Sequence, residues 1–235
     1  MRVTIERTEH EGTPLTFSRP TGDIRAGIVV IQEAWGITRH LAGLTGPLAA
    51  EGYLAVAPHL YHRQGDPVVE DHDFQRARPL LQGLTGSGIS ADVNAAIDYV
   101  HAQGVRQVGI VGFCMGGTIA LWAAASAHVD AAVTFYGSGI AKSRWRGIPS
   151  GLELAAKVRV PWLGLYGDLD KSIPIDQVEE LRTALEPVNA PTQIVRYADA
   201  GHAFATDPDS PRHVADAAED AWIRTREFFA DHLRA

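Results

Sequence analysis

An α/β fold, with helices on both faces of a mostly parallel central sheet, is what this sequence predicts, and three observations carry the prediction. Short β-branched or apolar runs alternate with longer stretches of helical period along the chain. The runs at residues 27–31 and 108–111 are apolar almost without interruption, as in strands buried on both faces. At 235 residues, with 46 % hydrophobic and 21 % charged side chains, the chain can fill one large core. No repeat, low-complexity tract or linker divides it. Residues 1–235 are therefore expected to form a single domain without a large separate lid.

The elements follow in order. Residues 3–7 and 15–19 read as an antiparallel pair, which makes 1–20 an edge of the sheet. Residues 27–31 form the first buried strand. Residues 38–51 are helical by period, and Gly52 ends the helix. Residues 53–57 are the next strand. Ser90-Ala91-Asp92 reads as the cap of a helix reaching about His101, with Ala95, Ala96, Tyr99 and Val100 on its buried side. Residues 108–111 are a strand and 118–127 a helix. Residues 131–136, 160–166 and 192–197 are three further strands. The last helix spans about 211–233, with Val214, Ala217, Ala221, Trp222, Phe228 and Phe229 on its apolar side. Segments 58–89 and 137–157 fit neither period. The first is rich in Gly, Pro and charge, and the second holds Lys142-Ser143-Arg144-Trp145-Arg146. Both follow the carboxyl ends of strands, where α/β folds bind ligands, so both are expected to be pocket walls.

Bulk properties exclude several functions. A formal net charge of −7 with no basic run argues against nucleic acid as a partner. No apolar stretch approaches the length that spans a membrane, and Met1-Arg2-Val3-Thr4-Ile5-Glu6 lacks the apolar core of a signal peptide. A single cysteine cannot form an internal disulfide, which makes a cytoplasmic location the expectation. His59, His62 and His72 lie in an irregular segment without ligand spacing, so no metal site is expected.

The lone cysteine stands in the most informative segment. After the strand at 108–111, Gly112-Phe113-Cys114-Met115-Gly116 fits the glycine–x–nucleophile–x–glycine turn that leads from strand to helix in α/β-hydrolases. The turn is so sharp that side chains at Gly112 and Gly116 would collide with backbone. An isolated cysteine is usually a small core hydrophobe. Here the flanking glycines and the helix that follows give it a reactive setting, because the positive end of a helix favours a thiolate and a developing oxyanion. The segment lacks the Lys-Ser/Thr ending of a phosphate loop and the G-x-G-x-x-G of a dinucleotide fold.

A cysteine nucleophile needs a base and a group to orient the base. In this fold they come in the order nucleophile, acid, histidine, on loops after strands. Gly167-Asp168-Leu169-Asp170 follows one strand, and Ala200-Gly201-His202-Ala203-Phe204 follows the last. Asp168 and Asp170 both compete for the acid role; Asp170 is preferred, with Asp168 binding backbone within the loop. Glu33 ends the first buried strand, near the elbow. The N–H groups of Met115 and Ala34 are then placed for an oxyanion hole. Candidate substrate contacts are Arg76 and Arg78, Tyr136, Arg144, Trp145 and Arg146, and Phe204.

With Gln32-Glu33-Ala34-Trp35-Gly36, Gly112-Phe113-Cys114-Met115-Gly116-Gly117, Tyr166-Gly167-Asp168-Leu169-Asp170 and Ala200-Gly201-His202-Ala203-Phe204, the chain resembles the dienelactone hydrolase family over roughly residues 14–233. The resemblance implies Cys114 as nucleophile, His202 as base and Asp170 as its orienting acid, with no cofactor. It implies that Glu33 pairs with the resting thiol and takes part in activating it when substrate binds. It also implies a small-molecule ester or lactone substrate, of the carboxymethylenebutenolide type. The alternatives are a carboxylesterase or thioesterase acting on a non-acidic substrate, and a non-catalytic binding member of the fold. The pattern has departures. The family's arginine four residues after the histidine is Thr206 here, and Arg144 and Arg146 are the candidates to replace it. The family's Pro-Asp-Leu-Tyr reads Pro58-His59-Leu60-Tyr61, and no tyrosine accompanies Arg76 and Arg78. Monomer and homodimer stay equally open.

Overall fold

The computed structural model describes residues 4–70, 73–126 and 128–233. Val3, His72 and Ala127, each named in the expectations above, lie outside the described residues. Eight strands form one sheet among those described: β1 (Ile5–His10), β2 (Thr13–Ser18), β3 (Ala26–Ile31), β4 (Tyr53–Pro58), β5 (Val108–Phe113), β6 (Ala131–Phe135), β7 (Trp162–Gly167) and β8 (Thr192–Tyr197). Their spatial order is β1-β2-β4-β3-β5-β6-β7-β8. β1, β2 and β4 pair antiparallel, and every pairing from β4 through β3 to β8 is parallel. Parallel neighbours need crossovers, and helices supply them: α1 (Arg39–Ala50), α2 (Phe74–Gly83), α3 (Gly86–Ala102), α4 (Met115–Ser126), α5 (Gly151–Ala155) and α6 (Ile175–Leu185); α7 (Ala215–His232) follows the last strand.

The apolar runs are buried for the reason the sequence suggests. All six residues of β3, β4, β5 and β7 are buried, and the five of β6 are too, because helices cover both faces. Helix α4 is apolar nearly all round and lies against β5 and β6 at the centre of the sheet.

Several boundaries differ from expectation. Helix α3 starts a turn earlier than Ser90, with the Thr85 side chain accepting from Gly88 N–H at 3.1 Å. Asp92 is not its cap. It is fully buried inside α3, where its carboxylate accepts from both Arg63 nitrogens (2.8 and 2.9 Å) and from Thr13 Oγ1 (3.0 Å), tying the 62–64 turn and β2 to the helix. The segments 58–89 and 137–157 are not wholly irregular, since α2 lies in the first and α5 in the second. α6 also forms, burying Val178, Leu181 and Leu185 at helical spacing. α7 begins at Ala215 rather than 211, because Val214 N–H is paired with Phe204 C=O at 2.9 Å and holds the preceding loop against the histidine segment. The consequence for function is that β3, β5, β6, β7 and β8 run parallel, so the segments leaving their carboxyl ends gather on one edge of the sheet.

Candidate active site

Cys114 occupies the turn between β5 and α4 with φ 53°, a left-handed conformation that costs a side-chain-bearing residue about 1–2 kcal/mol. The glycines make the turn possible. A Cβ on Gly112 would sit 1.9 Å from Gly116 C=O, and one on Gly116 would sit 2.5 Å from Ile31 C=O. Met115 is the first residue of α4, so its N–H has no partner within the helix.

His202 stands between the thiol and a carboxylate. Its Nε2 is 3.1 Å from Cys114 Sγ, and its Nδ1 is 2.6 Å from Asp170 Oδ2. The other oxygen of Asp170 accepts from Ser172 N–H (2.8 Å), Ser172 Oγ (2.6 Å) and Ile173 N–H (3.2 Å). Burial works against the Asp170 charge, but the hydrogen bonds from His202 and Ser172 outweigh it and hold the carboxyl below its ordinary range. Burial likewise opposes charge on His202. The adjacent Cys114 sulfur and the Asp170 carboxylate prevail, and push the imidazole up to about 10. The arrangement keeps a proton on the ring beside a sulfur able to carry negative charge.

Asp168 is placed differently from expectation. Its carboxylate makes a two-pronged ion pair with Arg196 (2.7 and 2.9 Å) rather than binding loop backbone, because β8 brings that guanidinium alongside.

Glu33 is buried, with both carboxylate oxygens hydrogen-bonded. Its Oε1 accepts from Tyr136 Oη at 3.1 Å and its Oε2 from Thr206 Oγ1 at 3.3 Å, while the hydrogen-bond partner of Cys114 is His202. Cys114 Sγ is thus paired with the His202 imidazole in this arrangement. Burial, reinforced by Glu33 and Cys114, drives the Tyr136 phenol well above its ordinary value, so it remains a donor.

The proposed substrate contacts are not gathered as expected. Tyr136 and Phe204 are fully buried; the Tyr136 ring packs 5.2 Å from His202 and 5.3 Å from Phe204, supporting the imidazole from within. Trp145 is buried too, its indole N–H donating to Leu81 C=O at 3.0 Å, which fastens one wall segment to the other. Arg76, Arg78, Arg144 and Arg146 are exposed and do not line the cleft that opens beside His202. That cleft is lined instead by Phe74, Leu169, Lys171, Pro211, Arg212 and Val214 around the triad loops. His59 and His62 have separate partners, Thr16 and Asp66 for the first and Asp92 for the second.

Two residues that sequence reasoning passed over bear on the site. Tyr61 Oη donates to Ala34 C=O at 3.1 Å and lies 3.8 Å from Met115 Sδ, touching both residues expected to supply the oxyanion hole. Its signal was present in Leu60-Tyr61, the part of the family's Pro-Asp-Leu-Tyr that this chain keeps. Arg212 places its guanidinium 5.6 Å from the centre of the Trp35 ring, and no local pattern marks it.

Comparison with known proteins identifies the family. The pattern of the dienelactone hydrolase family matches residues 16–233. A Salmonella typhimurium protein named "putative carboxymethylenebutenolidase" is 37 % identical over 239 residues, covering 98 % of this chain and 87 % of that protein. An Escherichia coli K12 protein of the same name is 39 % identical over 212 residues, covering 87 % and 76 %. The crystal structure of a "putative dienelactone hydrolase" from Klebsiella pneumoniae superposes with a TM-score of 0.90 at 34 % identity, covering 98 % of this chain and 99 % of that one. The fold is that of the α/β-hydrolases, and the chain belongs to the dienelactone hydrolase family.

Proposed function

We propose that this protein hydrolyses a carboxylic ester or lactone through a covalent thioester on Cys114. The observation that carries the reading is the unbroken chain from Cys114 Sγ through His202 to Asp170, at 3.1 and 2.6 Å. The thiolate attacks the carbonyl carbon, and the carbonyl oxygen becomes an oxyanion facing the N–H groups of Met115 and Ala34. The tetrahedral intermediate collapses, the carbon–oxygen bond to the leaving group breaks, and the departing oxygen takes the His202 proton. Neutral His202 then removes a proton from water, hydroxide adds to the thioester carbonyl, and the carbon–sulfur bond breaks to release acid and thiolate. Asp170 fixes the ring orientation and stabilises the imidazolium. Glu33 acts by position: held by Tyr136 and Thr206, it sets the Ala34 amide that follows it and joins the histidine loop to the end of β3.

The names of the relatives favour a carboxymethylenebutenolide lactone as substrate. A second reading, a neutral ester or thioester, is favoured by Thr206. It stands where the family has arginine, and its hydroxyl is turned to Glu33. Steady-state hydrolysis of a dienelactone beside a neutral p-nitrophenyl ester separates the two. Cys114→Ala should lower kcat on whichever is turned over by about 10⁴-fold or more without lowering the melting temperature. Unchanged turnover in that variant would overturn the covalent route.

A further inference from the structure

Residues 32–38, between β3 and α1, form neither strand nor helix, so no ladder fixes their peptide planes. Three consecutive carbonyls in this loop are nevertheless held. Glu33 C=O accepts from Gln32 Nε2 at 3.3 Å, Ala34 C=O from Tyr61 Oη at 3.1 Å, and Trp35 C=O from Val69 N–H at 2.9 Å. All three bonds trace to one stretch, residues 60–69, because Gln32 is itself aimed by Leu60, whose N–H donates to Gln32 Oε1 at 3.1 Å. That bond fixes the sense of the side-chain amide. A backbone N–H must meet its oxygen, so its NH2 end is the one at Glu33 C=O. Gln32 and Tyr61 are both fully buried, and water does not compete for their bonds. Gly36 lets the two segments close: its φ is 82°, and a Cβ there would sit 2.5 Å from Pro67 C=O.

A trans peptide is planar, with its C=O and N–H pointing in opposite directions. Holding Glu33 C=O therefore sets the direction of Ala34 N–H, which lies in the same plane. Holding Ala34 C=O sets the plane that follows. The clamp also meets the start of α4. Tyr61 Oη lies 3.8 Å from Met115 Sδ, and a Cβ on Gly116 would sit 2.7 Å from Gln32 C=O. Burial, reinforced by the nearby Cys114 charge, keeps the Tyr61 phenol above its ordinary range, so it stays a donor while the sulfur is ionised. We propose that Gln32 and Tyr61 are positioning residues that set the Ala34 amide for the oxyanion before substrate binds. This rests on the hydrolytic reading above and adds to it how the oxyanion hole is held. A donor fixed in a buried site need not reorganise as charge develops on the carbonyl oxygen.

Two variants test the clamp. Tyr61→Phe deletes one oxygen, and Gln32→Met keeps the side-chain length while removing both polar ends. Each should lower kcat/KM on p-nitrophenyl acetate by about tenfold or more. Affinity for an aliphatic trifluoromethyl ketone should fall in parallel. There Cys114 Sγ adds to the carbonyl carbon, the carbon–sulfur bond forms, and the carbonyl electron pair moves onto the same oxygen position. Methyl iodide reads the sulfur alone: the thiolate displaces iodide and no oxyanion forms. Its alkylation rate should change by less than about twofold in either variant, which a general disturbance of the site would not allow. Undiminished kcat/KM in either folded variant would overturn the assignment. An equal loss in alkylation would overturn it too, by placing the effect on the thiol. Should Gln32→Met fail to fold, Tyr61→Phe decides by hydrolysis against alkylation. Failure of the hydrolytic reading looks different: Cys114→Ala would then match wild type on p-nitrophenyl acetate, and the ketone would not bind wild type.

Discussion

At the scale of single residues, the protonation state of His202 governs the chemistry. Its imidazole is raised to about 10, against an ordinary value of 6.5, so the ring keeps its proton through neutral pH and loses it only in strong alkali. Acylation needs that proton for the leaving group. The alkaline limb of kcat/KM should accordingly fall with a midpoint near 10, whereas a limb near 6.5 would show that sulfur and imidazole do not share charge. In the proposed route, acylation converts the sulfur to a neutral thioester, which removes a neighbour that favours the imidazolium and leaves His202 to act as the base for water. The residues of this relay were legible in the sequence, because each sits in a short motif after a strand: Cys114 between glycines, Asp170 before Ser172, His202 between Gly201 and Ala203. Tyr61, Phe74 and Arg212 were not singled out as site residues. Leu60-Tyr61 keeps part of the family's pattern, but the contact of Tyr61 with Ala34, like the places of Phe74 at the His202 cleft and of Arg212 over Trp35, is set by the fold.

At the scale of elements, the buried strands were readable because continuous apolar runs leave few alternatives, and β3 to β8 fall close to their expected ranges. The helices in the wall segments were harder. α2 carries an internal proline, Pro79, and only Ala77 is fully buried, so its period is faint. α5 has five residues, too few for a period, yet Ser150-x-x-Glu153 is a complete capping box: Ser150 N–H and Oγ both donate to Glu153 Oε2 (2.8 and 2.7 Å), and Glu153 N–H returns to Ser150 Oγ. Ser150→Ala should lower stability by about 1 kcal/mol in urea denaturation with little change in KM. An unchanged midpoint would show that α5 is held by packing alone. The expected cap at Asp92 failed for an instructive reason: an acidic residue near a helix start resembles a cap in sequence, but here its partners, Arg63 and Thr13, come from elsewhere in the chain.

At the scale of the whole molecule, the parallel order of β3, β5, β6, β7 and β8 explains why motifs far apart in sequence meet. Each strand delivers its following segment to the same edge: Glu33 and Ala34 from β3, Cys114 from β5, Tyr136 from β6, Asp170 from β7 and His202 from β8. This convergence was foreseeable from the alternation of strands and helices. The walls of the cleft were not, because the arginines expected to line it are exposed elsewhere, and its lining comes from α2, the loop after β7 and residues 211–214.

The covalent intermediate is the central claim, and acid-quenched mass spectrometry during turnover of p-nitrophenyl acetate tests it most directly. An acetyl group on the peptide that contains Cys114, appearing with the first burst of p-nitrophenol and absent from Cys114→Ala, is the predicted result. Full turnover by wild type with an unmodified Cys114 peptide at every quench time, and undiminished turnover by Cys114→Ala, would contradict it.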